Sequence, residues 1–308
     1  MVPNAPATPQ YSGTFVPEIW SGKLLVKFYA ATVIAAITNT DYEGEIKDVG
    51  DKVIIRTVPD IQIRDYSKGQ SLQIQRPESP NTELEIDKAK YFNMICDDID
   101  KHQTDLALMD SWARDASQQM KIVVDREFLG DVYADADSAN KGATAGKETQ
   151  GFDLGSTGSP YGLTKANILD FIVDVGTVLD EQNIPEEDRW MVLPPWACGT
   201  IQKSDLKDAS LAGDGTSILR NGRIGMIDRF TIYDSNLLTK VVDGETIAFH
   251  AMAGHKSAIS FAAQMTKMES IRSESTFGTL VRGLNVYGYK VLKPESLVDM
   301  YVYKATVA

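Results

Sequence analysis

Three histidines and two cysteines are the residues of this 308-residue chain best suited to metal binding or nucleophilic chemistry. His250 and His255 are close in sequence and could form a metal pair, but no carboxylate stands at a recognisable ligand spacing. We therefore interpret both as ordinary polar residues beside Gly254. Cys198 follows two prolines and an aromatic residue, which favours a buried, inert thiol over an activated nucleophile.

Two short segments match ligand-binding loops only in part. Gly213–Thr216 lacks the lysine and the preceding strand of a phosphate-binding loop. Asp135–Asn140 begins like an EF-hand, but Gly146 stands where that motif needs a bidentate glutamate. The chain contains no G-x-G-x-x-G, H-E-x-x-H, C-x-x-C or G-x-S-x-G pattern. The sequence therefore predicts no catalytic residue, no cofactor and no metal.

Charge and composition exclude several classes of protein. The net charge is −12, from 31 Lys and Arg residues against 43 Asp and Glu residues. Such a chain is not expected to grip nucleic acid through a basic face or to dock on anionic membranes. Its most apolar stretch, residues 24–38, contains Lys27 and is shorter than the roughly 20 residues of a spanning helix. The first residues lack the features of a signal peptide, and the cysteine content favours a reduced, intracellular protein.

The hydrophobic pattern has a helical period over residues 24–38 and a period of two from residue 44 to residue 86. The second pattern predicts a β-ribbon with one apolar face, interrupted by turns. A lone ribbon is marginal in water, so this face must rest on its own domain or on a neighbouring chain. The residues alone favour its own domain. The alternating apolar residues at its centre are Ile61, Ile63, Leu72 and Ile74.

A long helix is predicted from Asp105 to Leu129, with Thr104 as its N-cap and Gly130 at its end. It would be roughly 37 Å long, so other elements should pack along it. Apolar residues that recur at spacings of three and four are expected to form its core face. These residues are Met109, Trp112, Ala116, Met120 and Val123.

The remaining chain predicts a polar connection over residues 134–160, an α/β unit over residues 161–245 and strands from residue 246 onward. Arg282 is expected to form an ion pair with Glu269 or Glu274. The order of helix, ribbon, long helix, inserted unit and strands indicates a mixed α+β fold with an inserted domain.

Two segments of the C-terminal third carry the most distinctive residues. Residues 222–237 read GRIGMIDRFTIYDSNL, and residues 269–297 read ESIRSESTFGTLVRGLNVYGYKVLKPESL. Together they resemble the closing parts of tailed-bacteriophage major capsid proteins with the Hong Kong 97 fold. Arg229 departs from the family pattern, in which we expect glycine. The matching positions are Arg272, Glu274, Phe277, Gly278, Arg282, Gly283, Tyr287 and Gly288.

The resemblance implies an α+β Hong Kong 97-like capsid fold. It assigns residues 1–43 to an N-terminal arm and residues 44–90 to an extended loop, which is the predicted ribbon. Residues 91–160 would form a peripheral domain with the long helix as its spine. Residues 161–245 would form the axial domain, and residues 246–308 the C-terminal strands of the peripheral domain.

The resemblance also implies that the extended loop lies across a neighbouring subunit, so that a ribbon without cover in its own chain uses another chain's surface. The expected inter-subunit contacts are Ile61, Ile63, Lys68, Leu72 and Ile74.

The implied function is a non-enzymatic subunit that self-assembles into pentamers and hexamers of an icosahedral shell around double-stranded DNA. The protein would be assembled in the host cytoplasm and located in the virion. Expected partners are copies of itself, a separate scaffolding protein, a portal and an optional decoration protein. No membrane partner and no sequence-specific DNA binding are expected. The acidic charge would keep packaged DNA from adhering to the shell. Two alternatives stay open, namely a nanocompartment shell with protein cargo and a soluble α+β enzyme.

Overall fold

The computed structural model describes most of the chain between residues 30 and 305. The described residues are 30, 32–41, 52–56, 59, 61–77, 81–97, 108–204, 225–273 and 277–305. The side chains of residues 97, 108–110 and 264–266 are not included. Thr104, Gly213–Thr216, Glu274 and most of the predicted arm lie outside the described residues. No helix in the described part of the chain is both long and apolar enough to cross a bilayer.

The largest sheet has seven strands, and we refer to it as the large sheet. Two of its strand pairs are parallel, namely β4 (Tyr161–Leu163) with β12 (Leu297–Lys304) and β5 (Arg189–Leu193) with β7 (Phe230–Asp234). The other pairs are antiparallel. Its main order is β4 (Tyr161–Leu163), β12 (Leu297–Lys304), β9 (Thr246–His255), β5 (Arg189–Leu193), β7 (Phe230–Asp234) and β6 (Met226–Ile227), and β8 (Lys240–Asp243) pairs with β9.

Both faces of the large sheet are buried at β5, which explains why this strand is a continuous apolar run after its first residue. Met191 and Leu193 of β5 face one core, where the helices α3 (Ile168–Glu181) and α4 (Pro195–Ile201) pack. Trp190 and Val192 face the opposite core. The strand therefore separates two hydrophobic layers, as the alternation of side chains along a strand requires.

A second, three-stranded antiparallel sheet consists of β10 (Ile259–Arg272), β11 (Gly278–Val291) and β3 (Lys88–Asp97). We refer to it as the hairpin sheet. β10 follows β9 directly through a short 3₁₀ helix, Lys256–Ala258. The chain therefore passes from one sheet into the other without a long linker.

The long helix α2 spans Leu108–Asp131, and it places a different face in the core from the predicted one. Trp112 is 40% exposed and Val123 is 43% exposed, so the prediction that they are core residues is wrong for this chain. The buried apolar residues are Val124, Phe128 and Leu129, near the end of the helix.

The reason for this difference is where α2 meets the rest of the chain. Phe128 and Leu129 pack in the same core as Trp190 and Val192 of the large sheet, whereas no side chain from residue 111 to residue 123 is fully buried. Ala116 and Met120 are half-buried, and the side chain of Met109 is outside the described set. The predicted end at Gly130 is also wrong, because the buried Leu129 and Val132 hold the last turn in place.

The extended loop begins and ends with one antiparallel strand pair, β1 (Lys52–Arg56) and β2 (Asn81–Glu85). Between them, residues 61–77 form no strand, so the strands predicted at 61–63 and 72–74 are not present. The chain reverses at Ser67–Gln70, where Gly69 has a φ of +90° and the Gln70 amide donates to the Ser67 carbonyl. Alternation alone does not produce a strand ladder here, because no apolar surface among the described residues covers either arm.

The predicted helix over residues 24–38 is described only at its end, where α1 spans Ile34–Ile37. Val33 and Ile37 are buried against the C-terminal half of α2. After α1, Asn39 pairs in parallel with Ser260 of β10.

Candidate assembly surfaces

The central part of the extended loop, residues 61–77, is the most exposed apolar surface of the described chain, and we call it the loop tip. Ile63 and Ile74 are each 92% exposed, and Leu72 is 77% exposed. Ile61 and Tyr66 also face solvent. Apolar side chains on both arms of the tip therefore contact little of their own chain, which is typical of a surface that another molecule covers.

Polar side chains hold the two arms of the loop tip together. The amide of Gln62 donates to the side-chain oxygen of Gln75 at 3.1 Å, and the Gln75 side chain donates back to the Gln62 carbonyl at 3.1 Å. The Arg64 guanidinium donates to the side-chain oxygen of Gln73. Lys68 lies at the reversal and is fully solvent-facing. These contacts fix the separation of the arms without covering the isoleucines.

The base of the loop, formed by β1 and β2, is packed into the protein, and we call it the loop root. Ile55, Leu84 and Ile86 form a small core with Ala262 of β10. The backbone of Glu85 lies against Gly288 of β11, where an added Cβ would be 2.0 Å from the Glu85 carbonyl oxygen. Only glycine fits at such a distance, which gives a physical reason for glycine at this family-motif position.

Tyr287, next to that glycine, links the hairpin sheet to α2. Its ring is fully buried, and its hydroxyl donates to Glu127 at 3.2 Å. Lys88 of β3 also lies 2.9 Å from Glu127 and 3.3 Å from Asp131, which accepts a 2.6 Å hydrogen bond from Tyr289. Burial and the nearby Glu127 carboxylate raise the pKa of Tyr287, so its hydroxyl stays protonated as a donor. This network fastens the hairpin sheet to the long helix.

The solvent-facing side of the hairpin sheet carries the predicted ion pair. Two nitrogens of Arg282 lie 2.6 and 3.0 Å from one carboxylate oxygen of Glu269, and Lys267 lies 2.5 Å from the other. Hydrogen bonds from Lys267 and Arg282 hold the pKa of Glu269 below its ordinary value. Gly283 follows Arg282 on the same strand. An added Cβ at Gly283 would lie 2.3 Å from the ring of Phe92, so the absence of a side chain leaves space for that ring.

The remaining family-motif positions lie at the open end of the hairpin sheet. Arg272 pairs with Thr279, and Gly278 pairs with Asp97 across the strands. Phe277, which directly precedes Gly278, is 83% exposed. The structure thus distributes the motif between a buried part at the loop root and an exposed part at the hairpin end.

The position where we expected glycine, Arg229, has left-handed backbone geometry. Asp228 and Arg229 connect β6 to β7 with φ values of +43° and +68°. Glycine adopts this conformation without cost, whereas arginine requires compensation. The Arg229 side chain lies 3.1 Å from Asp180 and 2.9 Å from Glu186, so it ties this turn to the end of α3.

Arg189, which the sequence analysis did not single out, is the largest fully buried side chain. It is 2.7 Å from Asp180, and it donates to the backbone carbonyls of Ile184 at 2.6 Å and Pro185 at 2.8 Å. A charge buried this deeply needs such a complete set of partners. The available signal was an arginine at the start of an apolar strand, nine residues after an aspartate.

The two histidines and the cysteine that were considered for metal binding or nucleophilic chemistry make structural contacts. His250 lies 3.1 Å from Asp299 and stacks on Tyr133 at 3.9 Å, whereas His255 accepts a hydrogen bond from the Ser257 amide. Cys198 is buried, as expected, and burial raises the pKa of its thiol to about 12. Within the described ranges, no group of three or more His, Cys, Asp or Glu side chains could hold a metal ion.

Comparison with known proteins identifies the class to which this arrangement belongs. The phage capsid protein family matches residues 82–300, which is more than half of the chain. The chain therefore belongs to the phage capsid protein family. The match begins at β2, so the loop tip lies outside it. No curated protein sequence matches the chain.

Solved structures extend the likeness over nearly the whole chain. A structure from Mycobacterium phage Che8 is 27% identical with a TM-score of 0.75, and the match covers 93% of this chain and 97% of that one. The capsid structure of the cyanophage P-SCSP1u is 16% identical with a TM-score of 0.70, covering 94% of each chain. The capsid of the Myoviridae phage XM1 is 14% identical with a TM-score of 0.62, covering 92% of this chain and 96% of that one.

The fold is thus the expected Hong Kong 97-like fold, and the chain is a phage major capsid protein that forms the shell. It is a structural protein of the virion capsid. The comparisons do not favour a nanocompartment or an enzyme.

Proposed function

We propose that this capsid protein assembles into pentamers and hexamers of an icosahedral shell that encloses double-stranded DNA, with the extended loop lying across a neighbouring subunit. The observation that carries the proposal is the 92% exposure of both Ile63 and Ile74. A neighbouring copy supplies the cover that these side chains lack in their own chain.

The energetics favour a repeated contact of this kind. Full burial of one isoleucine or leucine side chain contributes at most about 1.5–3 kcal/mol, before the cost of ordering the chains. One loop tip is therefore insufficient for a stable pair of subunits. Contacts that join unlike surfaces of identical chains close into rings, and each subunit of a closed shell makes several contacts at once.

The packed loop root supports this role for the tip. The small core around Leu84 and the close approach of Glu85 to Gly288 anchor the loop on the hairpin sheet. An anchored base reduces the conformational entropy that the tip loses when it binds a neighbour.

We also propose the division into an arm (1–43), an extended loop (44–90), a peripheral domain (91–160 and 246–308) and an axial domain (161–245). The small core of the loop root supports the extended loop as a separate unit. The cores of the large sheet combine residues of the range 161–245 with residues of the range 246–308, so the proposed axial and peripheral domains pack together. Because β9 and β12 of the large sheet belong to residues 246–308, the two larger domains share strands.

The remaining proposed partners are a separate scaffolding protein, a portal and an optional decoration protein. Assembly would take place in the host cytoplasm and involve no catalytic activity of this chain. The net charge of −12 supports a shell that does not adhere to the packaged DNA. Nuclease-protected DNA in purified particles tests the cargo, and particles that contain only protein cargo would contradict it.

The loop contact is tested with the double variant Ile61→Asp/Ile63→Asp. Both side chains are exposed, so the isolated subunit should keep the thermal unfolding midpoint of the wild type. Shell formation, measured by sedimentation and negative-stain microscopy, should be lost because the charges would be buried at the contact. Val242→Asp is the matched control, because Val242 is 77% exposed on β8 of the large sheet and should not affect the loop contact.

Two results would contradict the proposal. Shells of normal yield from the double variant would mean that the loop tip is not an assembly contact. A lost thermal transition in the isolated double variant would mean that the tip belongs to the core of its own subunit.

A further inference from the structure

A buried carboxylate on α2 holds the segment that contains α1. Asp125 is 1% exposed, and its Oδ1 accepts hydrogen bonds from the Ile34 amide at 3.0 Å and the Val33 amide at 3.2 Å. Its Oδ2 lies 3.3 Å from the Val33 nitrogen. These amides belong to the first turn of α1 and have no partner within the helix.

Asp125 therefore acts as an N-cap supplied from another part of the chain. The N-cap position of α1 is Val33, which has no side-chain oxygen and makes no capping hydrogen bond. A single-turn helix such as α1 is not stable by itself, so external contacts must hold it. Asp125 is 92 residues away in sequence from Val33, and it satisfies donors that would otherwise be buried without partners.

The other contacts of this segment do not depend on charge. Val33 and Ile37 pack in the core with Phe128. Asn39 makes two backbone hydrogen bonds of 2.9 Å with β10, to the Ile259 carbonyl and from the Phe261 amide. Among the described contacts that join residues 32–40 to the rest of the protein, Asp125 therefore supplies the ionisable group. Residues 32–40 themselves contain no charged side chain.

Among the described residues, none places a compensating charge beside Asp125. Lys121 and Arg126, its basic neighbours on α2, point to solvent, and Asp41 lies beyond the docked segment and is exposed. The strand residues 259–263 of β10 are uncharged, and the shared core is apolar. Among the described residues, no charged side chain forms a hydrogen bond or ion pair with Asp125. Burial therefore raises the pKa of Asp125 to about 6, against the smaller opposite effect of the two amides.

We propose that Asp125 is a proton-controlled latch for residues 32–40, which dock more tightly on α2 when this carboxyl is protonated than when it is ionised. The neutral carboxyl keeps a carbonyl oxygen as acceptor for the two amides and avoids the cost of a buried negative charge. The proposal does not depend on the extended loop or on shell assembly.

The direction of the pH dependence follows from linkage. The pKa of Asp125 is raised from 3.8 when exposed to about 6 when docked, so the docked form binds more protons in this range. The additional stability that protonation of Asp125 gives to the docked form is fully present below about pH 4. It is lost as the pH rises through about 6. The docking equilibrium constant should be about tenfold larger at pH 5 than at pH 8.

Hydrogen exchange of the full-length chain tests this latch. Protection factors, which are already corrected for the intrinsic pH dependence of exchange, are measured for the Val33 and Ile34 amides at pH 5, 6.5 and 8. In the wild type they should fall about tenfold from pH 5 to pH 8. In Asp125→Asn, which keeps one acceptor oxygen but cannot ionise, protection should not change with pH, whatever its absolute level.

Controls keep the outcome clear. The Met252 amide of β9 reports global unfolding, and it should stay protected in each variant if the fold is intact. Asp125→Ala should lose protection at Val33 and Ile34 at every pH, because it removes the acceptor. Equal wild-type protection at pH 5 and pH 8, or the same pH dependence in Asp125→Asn as in the wild type, would overturn the proposal.

Discussion

Gly288 and Glu85 approach so closely that a Cβ on the glycine would lie 2.0 Å from the glutamate carbonyl oxygen. Gly288 is on β11 of the hairpin sheet, and Glu85 is the last residue of β2. The contact therefore sets how near the loop root comes to the hairpin sheet. A position of this kind depends on the absence of a side chain rather than on an attractive contact.

Gly288→Ala should destabilise the subunit by about 1–3 kcal/mol, because backbone must move to accommodate the methyl group. The measurement is chemical denaturation of the unassembled subunit. Gly199→Ala is the matched control, since no atom lies within 4 Å of its added Cβ and alanine favours the helix α4. A Gly288→Ala variant as stable as the control would show that the loop root is not packed as described.

Truncations along α2 should distinguish its two halves. Phe128→Ala removes a fully buried ring and should cost about 3–5 kcal/mol in the free energy of unfolding. Trp112→Ala should cost less than about 1 kcal/mol in the isolated subunit, since the indole is 40% exposed. Denaturant midpoints of the two variants provide the comparison. A large loss of stability in Trp112→Ala would restore the predicted core face.

Arg189→Met should destabilise the subunit by about 3–5 kcal/mol, because three backbone carbonyl oxygens, those of Gly176, Ile184 and Pro185, and the carboxylate of Asp180 lose their donor. Arg229→Gly is the control that also removes a guanidinium from Asp180. It should change stability by less than about 1 kcal/mol, since it loses exposed ion pairs but relieves the left-handed backbone. Equal effects of the two substitutions on thermal unfolding would contradict a special role for the buried arginine.

Sequence patterns identify elements but not their surroundings. The recurrence of apolar residues correctly predicts a long helix up to Leu129, because helical period is a local property. It does not predict that Val124 rather than Val123 is buried, since this depends on where the large sheet crosses the helix. In the same way, the alternation around Ile63 is visible in the sequence, whereas the absence of a strand ladder there is not.

The two most deeply placed charges were not predictable from local patterns. Asp125 has its partners about ninety residues earlier in the chain. Arg189 has carbonyl oxygens as its main partners, and every residue has such an oxygen. The resemblance to a family was more informative at Arg229, where the expected glycine corresponds to a left-handed backbone.

The direct passage of β9 into β10 also determines how this protein carries force. The junction Lys256–Ala258 is reinforced by the amides of Leu292 and Lys293, which both donate to the Ala258 carbonyl. A pull on the exposed Phe277 end runs along the paired strands β10 and β11 and reaches the large sheet through continuous main chain. The two main chains then share the tension, and the ladder hydrogen bonds between them keep the strands in register.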